Sequence, residues 1–337
     1  MKGKHLRRCI MNKKTRLHSY FFLLVLAASF LWVCPSGAQD YPKGTIQIVV
    51  PFAPGGSTDI FWRTIADFLS KNLNANLAIL NKPGAGGVVG VSSVVNSKPD
   101  GYTLAVGNSD TLDIAPLFNP SMPFDPINDL TYVVKLSMFP QAIAVRTESP
   151  FKTLDDLVAF AKANPKKLKA GTPGVGTSPY IAAYMFNDDA KVEVVPIAFG
   201  GGGEVVPNVL GGHVDFAFIS IPPIKTQVAA GKMRILANLA KKRHPLYPDI
   251  PTAAEKGFGK TIVETGIGLV GPKGLPPAVI KKWEEAVQLT LKDPNVIAAV
   301  ERFDFVIDYM SGEAYKKEIA EEFGFFKKLM AKVGEKK

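Results

Sequence analysis

Apolar positions along the chain change period regularly, and the changes mark alternating strands and helices. Residues 45–52 form a continuous β-branched apolar run, suited to a strand buried on both faces. Residues 59–73 follow with Phe61, Ile65, Phe68 and Leu69 at helical spacing. Short strands are predicted at 77–80 and 103–107, separated by the turn Lys98-Pro-Asp-Gly101, and again at 132–136 and 142–146. Thr153 caps a helix over 154–163 that Asn164-Pro165 stops. Strands at 168–172, 193–197, 214–219 and 233–239 then alternate with helices at 179–187, 205–210 and 224–230. A strand over 262–271 returns, and helices over 277–291, 295–303 and 313–333 finish the chain. This alternation predicts an α/β protein with right-handed crossovers. Roughly nine strands exceed the ~5–6 of an ordinary sheet, so two mainly parallel sheets are expected. Crossings near 141–146 and 261–271 place residues 40–143 plus 261–337 in lobe I and residues 144–260 in lobe II.

The first residues follow a different pattern. Seven basic residues and no acids precede an apolar stretch at 21–33, and Ser36-Gly37-Ala38 supplies small residues behind it. That order reads as a secretory signal peptide over 1–38, cut near Ala38, with Met11 as an alternative start. The apolar stretch is short for a membrane span of ~20 residues, which leaves an uncleaved anchor as the lesser reading. Lipidation at Cys34 is disfavoured, because Leu31-Trp32-Val33 lacks the small residue expected before a lipidated cysteine.

Removing that segment changes the charge picture. The 337-residue chain carries 40 basic and 30 acidic residues, +10 in all; without the signal it is 33 against 30, or +3. A basic surface for nucleic acid is therefore not supported. Cys9 and Cys34 both precede the cut, so the exported chain holds no thiol. The histidines left are His213 and His244, both expected in solvated loops. A cysteine nucleophile and a multi-histidine zinc site are excluded, and no serine sits in G-x-S-x-G. Ala254 breaks the P-loop spacing before Gly259-Lys-Thr261, and Gly90 comes one residue late for a dinucleotide loop begun at Gly84. The chain is read as neither an enzyme nor a cofactor carrier.

Two glycine-rich corners carry the functional signal. Pro51-Phe-Ala-Pro-Gly-Gly-Ser-Thr-Asp59 leads from the first strand into the first helix; Gly171-Thr-Pro-Gly-Val-Gly-Thr-Ser-Pro179 does the same in lobe II. Each places glycines and then hydroxyls at a helix N-terminus, where free N–H groups and about half a positive charge can hold a carboxylate without Lys or Arg. Such corners lie beyond the carboxyl ends of strands, where α/β proteins bind ligands, although ordinary well-capped loops would have the same composition. Asp59 would repel an anion and is expected to cap or to bond a neighbouring loop.

Ordered matches extend this reading. Val50-Pro-Phe-Ala-Pro-Gly-Gly-Ser-Thr-Asp59, Asn81-Lys-Pro-Gly-Ala-Gly-Gly87, Pro99-Asp-Gly-Tyr-Thr-Leu104 and Phe151-Lys-Thr-Leu-Asp-Asp156 come first. Gly176-Thr-Ser178, Leu210-Gly-Gly-His-Val-Asp215, Ala230-Gly-Lys-Met-Arg234, Pro248-Asp-Ile-Pro-Thr252 and Gly271-Pro-Lys-Gly274 follow. In these the chain resembles the Bug/TctC family, the extracytoplasmic solute receptors of tripartite tricarboxylate transporters. The resemblance implies a two-lobed periplasmic-binding-protein (Venus flytrap) fold with a ligand cleft, a periplasmic location, a small organic acid as ligand, and large and small membrane subunits as partners. It implies carboxylate contacts at Ala53, Gly55, Ser57, Thr58, Gly176, Thr177 and Ser178, with Asn108, Ser109, Ile219 and Ser220 on the remaining wall. Pro54, Gly56, Asp59, Val175, Phe199 and Gly200 complete the candidate set. Many family members carry a cation near Phe199-Gly200-Gly201; this chain has glycines there, which favours a monocarboxylate or aromatic acid. A sensing receptor for a membrane signalling protein and an exported α/β hydrolase built around His213 are the alternatives.

Overall fold

The computed structural model describes residues 41–119, 121–244 and 246–334; the signal-peptide reading lies outside them. The chain runs β1 (Ile46–Val50), α1 (Ser57–Leu73), β2 (Leu77–Asn81), α2 (Val88–Val95) and β3 (Thr103–Asn108). A π turn (Asp110–Ile114) and the short α3 (Ala115–Phe118) lead to β4 (Leu130–Arg146). Then come α4 (Leu154–Ala163), β5 (Lys169–Thr172), α5 (Ser178–Ala190), β6 (Val195–Ala198) and α6 (Gly202–Leu210). β7 (Phe216–Ser220), α7 (Ile221–Ala229), β8 (Met233–Asn238) and β9 (Glu264–Pro272) follow. α8 (Pro277–Lys292), α9 (Pro294–Arg302), β10 (Val306–Ser311) and α10 (Gly312–Gly334) close the chain.

The ten strands follow the order β2-β1-β3-β9-β4-β7-β5-β6, with β8 and β10 also on β4. β4 is the strand on which everything turns. The strands predicted at 132–136 and 142–146 are one element of 17 residues, continuous through Pro140. Leu130 to Pro140 pair with β9, and from Gln141 onward the partners are β7 and β8. Pro140 is tolerated because the ladder changes partner there. The fold class is the expected two-lobed α/β one. Parallel pairing holds for β1 with β2 and β3, and for β5 with β6 and β7; the pairs made by β4 and β9, along which the chain crosses, are antiparallel.

Side-chain alternation splits the second half into two apolar layers. Ile143, Val145, Phe216 and Phe218 point into one cluster with Phe186 and Leu157; Ala142, Ala144, Ala217 and Ile219 point into the other with Val205 and Ile224. The first half packs Val49, Ala105 and Val270 against Val91, Tyr315 and Ile319. Three elements escaped the sequence reading, the short α3 among them. α2 is a glycine- and valine-rich stretch without polar periodicity, and β10 has no fully buried residue to mark it.

The C-terminal elements are held to β4 by one buried cation. Lys135, 4% exposed, places its Nζ 2.7 Å from Asp308 on β10 and 2.7 Å from Glu318 on α10. The two carboxylates offset its burial and push its pKa up despite desolvation. Lys135→Met leaves two carboxylates facing each other, and should destabilise the protein by about 3 kcal/mol or more. Adding Asp308→Asn and Glu318→Gln should recover most of the loss; urea unfolding of the single and triple variants checks this.

Candidate functional site

Five βα corners meet at one point: those after β1, β3, β5, β6 and β7. All are at the carboxyl ends of parallel strands, beside Gln141, where β4 changes partner, which is the switch point at which α/β proteins bind ligands. Between them lies a cavity of about 30 Å³, lined by Phe52, Gly56, Ser57, Thr58, Asn108, Asp110, Phe139, Gln141, Pro173, Pro179, Gly202 and Ser220. Its volume is that of about one water. No Lys or Arg lines it.

The first corner leads from β1 into α1. Gly56 caps α1 in extended conformation without a side-chain hydrogen bond. The N–H groups of Ser57 and Thr58 have no acceptor among the described residues, although both side chains are buried and line the cavity. Asp59 turns away: Oδ2 accepts from Gly55 N at 2.9 Å, and Oδ1 accepts from Arg63 Nε and Asn81 Nδ2. It clasps the loop, and the cavity does not see it.

The second corner differs from the expectation. The α5 N-terminus is already occupied by a carboxylate of the protein. Asp110 Oδ1 accepts from Ser178 N at 2.8 Å and from Ser178 Oγ, and Thr265 Oγ1 lies 3.4 Å away. Thr177 caps α5 through Tyr180 N and donates to Gly174 O. A Cβ on Gly176, whose φ is +77°, would stand 2.8 Å from Ala115 Cα, and Gly86 is pressed against Val175 O. Loops of the first half therefore cover this corner. Val175, Gly176, Thr177 and Ser178 stand behind the cavity wall rather than on it.

Glycines let the loops touch on the other side as well. Ala53 N donates to Gly200 O at 3.3 Å, and a Cβ on Gly201 would lie 2.9 Å from Ala53 N. Gly203 backs onto Pro54 O, and Ser57 Oγ hydrogen-bonds Ser220 Oγ. The run Gly200–Gly203 thus receives the backbone of the first corner where a cationic side chain would stand. Phe199 and Ile219 pack in the apolar layer with Val205, and Ser109 Oγ accepts from Gly266 N at 3.2 Å. Among the wall residues named from sequence, Asn108 and Ser220 line the cavity.

The sequence reading did not name the lining residues Phe52, Asp110, Phe139, Gln141, Pro173, Pro179 and Gly202, and two of these are polar side chains. Asp110 sits in a stretch that reads as a solvated connection, and Gln141 follows a proline inside an apolar strand. Gln141 is fully buried, Nε2 donates to Thr265 Oγ1 at 2.8 Å, and Oε1 has no partner. Asp113, also fully buried, has no well-formed hydrogen bond to either oxygen among the described residues, with the Glu322 carboxyl as its near neighbour. Burial pushes Asp110 up to about 6 against the lowering effect of Ser178, and burial and the nearby Glu322 carboxyl push Asp113 well up. His244 corrects the sequence reading: it is 7% exposed, Nδ1 accepts from Leu246 N, its ring packs on Tyr247, and burial lowers its pKa. His213 is exposed, as expected. Among the described residues no group of acids, histidines and cysteines is arranged to hold a metal, and no helix is long and apolar enough to cross a membrane.

Residues 61–334 match the tripartite tricarboxylate transporter family receptor. The chain belongs to that family. It is 34% identical over 311 residues to the Cupriavidus necator UPF0065 protein in the gbd 5′ region, covering 91% of this chain and 94% of the relative. MatC from Rhodopseudomonas palustris with bound malate superposes with TM-score 0.81 at 28% identity, over 86% of this chain and 99% of MatC. A second R. palustris protein, solved with adipate, gives 0.84 at 25%, over 88% and 99%. The family is one of extracytoplasmic solute receptors.

Asp110 and Asp113 titrate above their unfolded values, so the folded chain binds more protons than the unfolded one near pH 5. Their contribution is fully present below pH ~4 and is lost as pH rises through about 6 for Asp110, and higher for Asp113. The thermal midpoint should therefore climb by a few degrees from pH 8 to pH 5.5, and Asp113→Asn should flatten that climb. A midpoint that is constant or falls over this interval contradicts the assignment.

Proposed function

We propose that this protein is the extracytoplasmic capture component of a tripartite transporter, that it is exported with cleavage near Ala38, and that it holds a small organic acid by its carboxylate at the start of α1. The observation that carries the reading is the pair of unpaired N–H groups of Ser57 and Thr58, buried at a helix N-terminus on a cavity with no cationic side chain. A carboxylate there receives charge-assisted hydrogen bonds and the favourable end of the helix dipole. Malate in MatC and adipate in the second R. palustris protein are carboxylates, which supports the same ligand class here.

In this reading lobe I comprises residues 40–143 and 261–337, lobe II residues 144–260, and the cavity lies between them. Entry parts the Ser57–Ser220 and Ala53–Gly200 contacts, and closure around the acid restores a compact form that the large and small membrane subunits recognise. In this reading the receptor performs no reaction: the cavity serines Ser57 and Ser220 bond each other, and no histidine is among the lining residues. Remaining candidates, among them Val175, Gly176 and Thr177, act by letting the lobes approach.

Ser57→Pro tests the site with little damage to the helix. Proline suits the first helical position, and Gly56 before it is already extended, yet the N–H is gone. Calorimetry with mono- and dicarboxylates should show at least a tenfold loss of affinity, with a smaller loss for Ser57→Ala. Wild-type affinity in Ser57→Pro would remove the α1 terminus from the site. A second variant addresses closure: Gly176→Ala should weaken binding about tenfold or more, because its Cβ meets Ala115 only when the loops are together. Small-angle scattering should show a larger radius of gyration for this variant.

A further inference from the structure

The cavity wall carries two unused acceptors as well as unused donors. Asp110 is 5% exposed, and all its hydrogen bonds fall on Oδ1; Oδ2 has none among the described residues. Gln141 is fully buried with Oε1 unpartnered. The amide orientation is set by a relay: Gln141 Nε2 donates to Thr265 Oγ1, and that hydroxyl, having accepted, directs its proton toward Asp110 Oδ1. Thr265 thereby holds both side chains, and it leaves an undonated carboxylate oxygen and an undonated amide oxygen, among the described residues, on two residues that line the same small cavity.

A solute that brought only carboxylate would place an anion beside Asp110, with no lining cation to offset either charge. A plain acid would also leave Gln141 Oε1 unpaired after water is expelled. Resting on the carboxylate reading above, we propose that the solute is zwitterionic: its carboxylate sits on the Ser57 and Thr58 amides, and a protonated nitrogen on the same small molecule is received by Asp110 and Gln141. Asp110 is then the specificity-determining residue of the receptor. It holds lobe II closed through Ser178 on one oxygen and reads the solute's cation with the other. Burial holds Asp110 near the middle of the carboxylate-to-neutral range, at about 6, and an ammonium partner would draw it back toward the ionised form. Asn108, whose Oδ1 is taken by Thr111, has an amide nitrogen available for the carboxylate.

Matched ligand pairs decide the matter on the wild-type protein. Calorimetry of the refolded, dialysed receptor would compare L-alanine with propionate and 4-aminobutyrate with butyrate, with succinate as the diacid. The ammonium-bearing member of at least one pair should bind at least tenfold tighter than its plain acid. In Asp110→Asn that ratio should fall toward one while the plain acid binds as well or better. Plain acids matching or exceeding their amino counterparts, or succinate binding tightest, would overturn the zwitterion inference and leave the carboxylate site standing. Failure of every acid to bind would count against the carboxylate reading itself, and the inference would fall with it. Should Asp110→Asn not fold, the wild-type ratio still decides, and Gln141→Leu provides the second variant, with a smaller loss of the same preference expected.

Discussion

A helix that begins inside a protein leaves N–H groups that must find acceptors, and the site is organised by how two such beginnings are treated. The start of α5 is satisfied internally, by Asp110 reaching across from the turn after β3 to Ser178. The start of α1 has no such partner among the described residues, and Ser57 and Thr58, whose N–H groups are left without acceptors, line the cavity. The two corners look alike in sequence but differ in function for this reason. One is a structural latch between distant segments of the chain; the other keeps the hydrogen-bonding capacity on which the proposed carboxylate site rests.

The glycines follow from the same arrangement. A carboxylate from one loop can reach the helix start in another only if the backbones come within van der Waals contact. Gly86 against Val175, Gly176 against Ala115, Gly201 against Ala53 and Gly203 against Pro54 are loop contacts where a Cβ would stand under 3 Å from backbone. The run after Phe199 therefore acquires a purpose beyond the absence of a cation, since it lets the Ala53–Gly55 segment lie directly on α6.

Much of this fold could be read from the chain because the strands are apolar runs and the helices are punctuated by Thr153, Pro179 and Gly211. What escaped has physical reasons. A single strand that serves two sheets carries no internal signal, so β4 read as two. β10 is half-buried along its length and lacks an apolar face. The corners were legible as glycines followed by hydroxyls, but their partners were not. Asp110 and Gln141 act through tertiary neighbours from β9 and α5, and local sequence carries no trace of those contacts. His244 misled because a basic, proline-bounded stretch usually lies in solvent; here Tyr247 covers its ring and Leu246 N satisfies Nδ1.

Selectivity in such a receptor comes from groups that water cannot reach once the loops meet. Hydrogen bonds that a solute merely exchanges for those of water are worth ~1 kcal/mol each, whereas a buried group left unpaired costs 1–3 kcal/mol. The closing contacts, among them Ser57 with Ser220 and Ala53 with Gly200, form with any occupant small enough and so cannot discriminate. On the proposed reading, discrimination falls to the groups those contacts leave unpaired: two amides, one amide oxygen and one carboxylate oxygen. A solute that meets all of them gains closure at no electrostatic loss, and one that misses the carboxylate must either protonate Asp110 or keep the lobes apart.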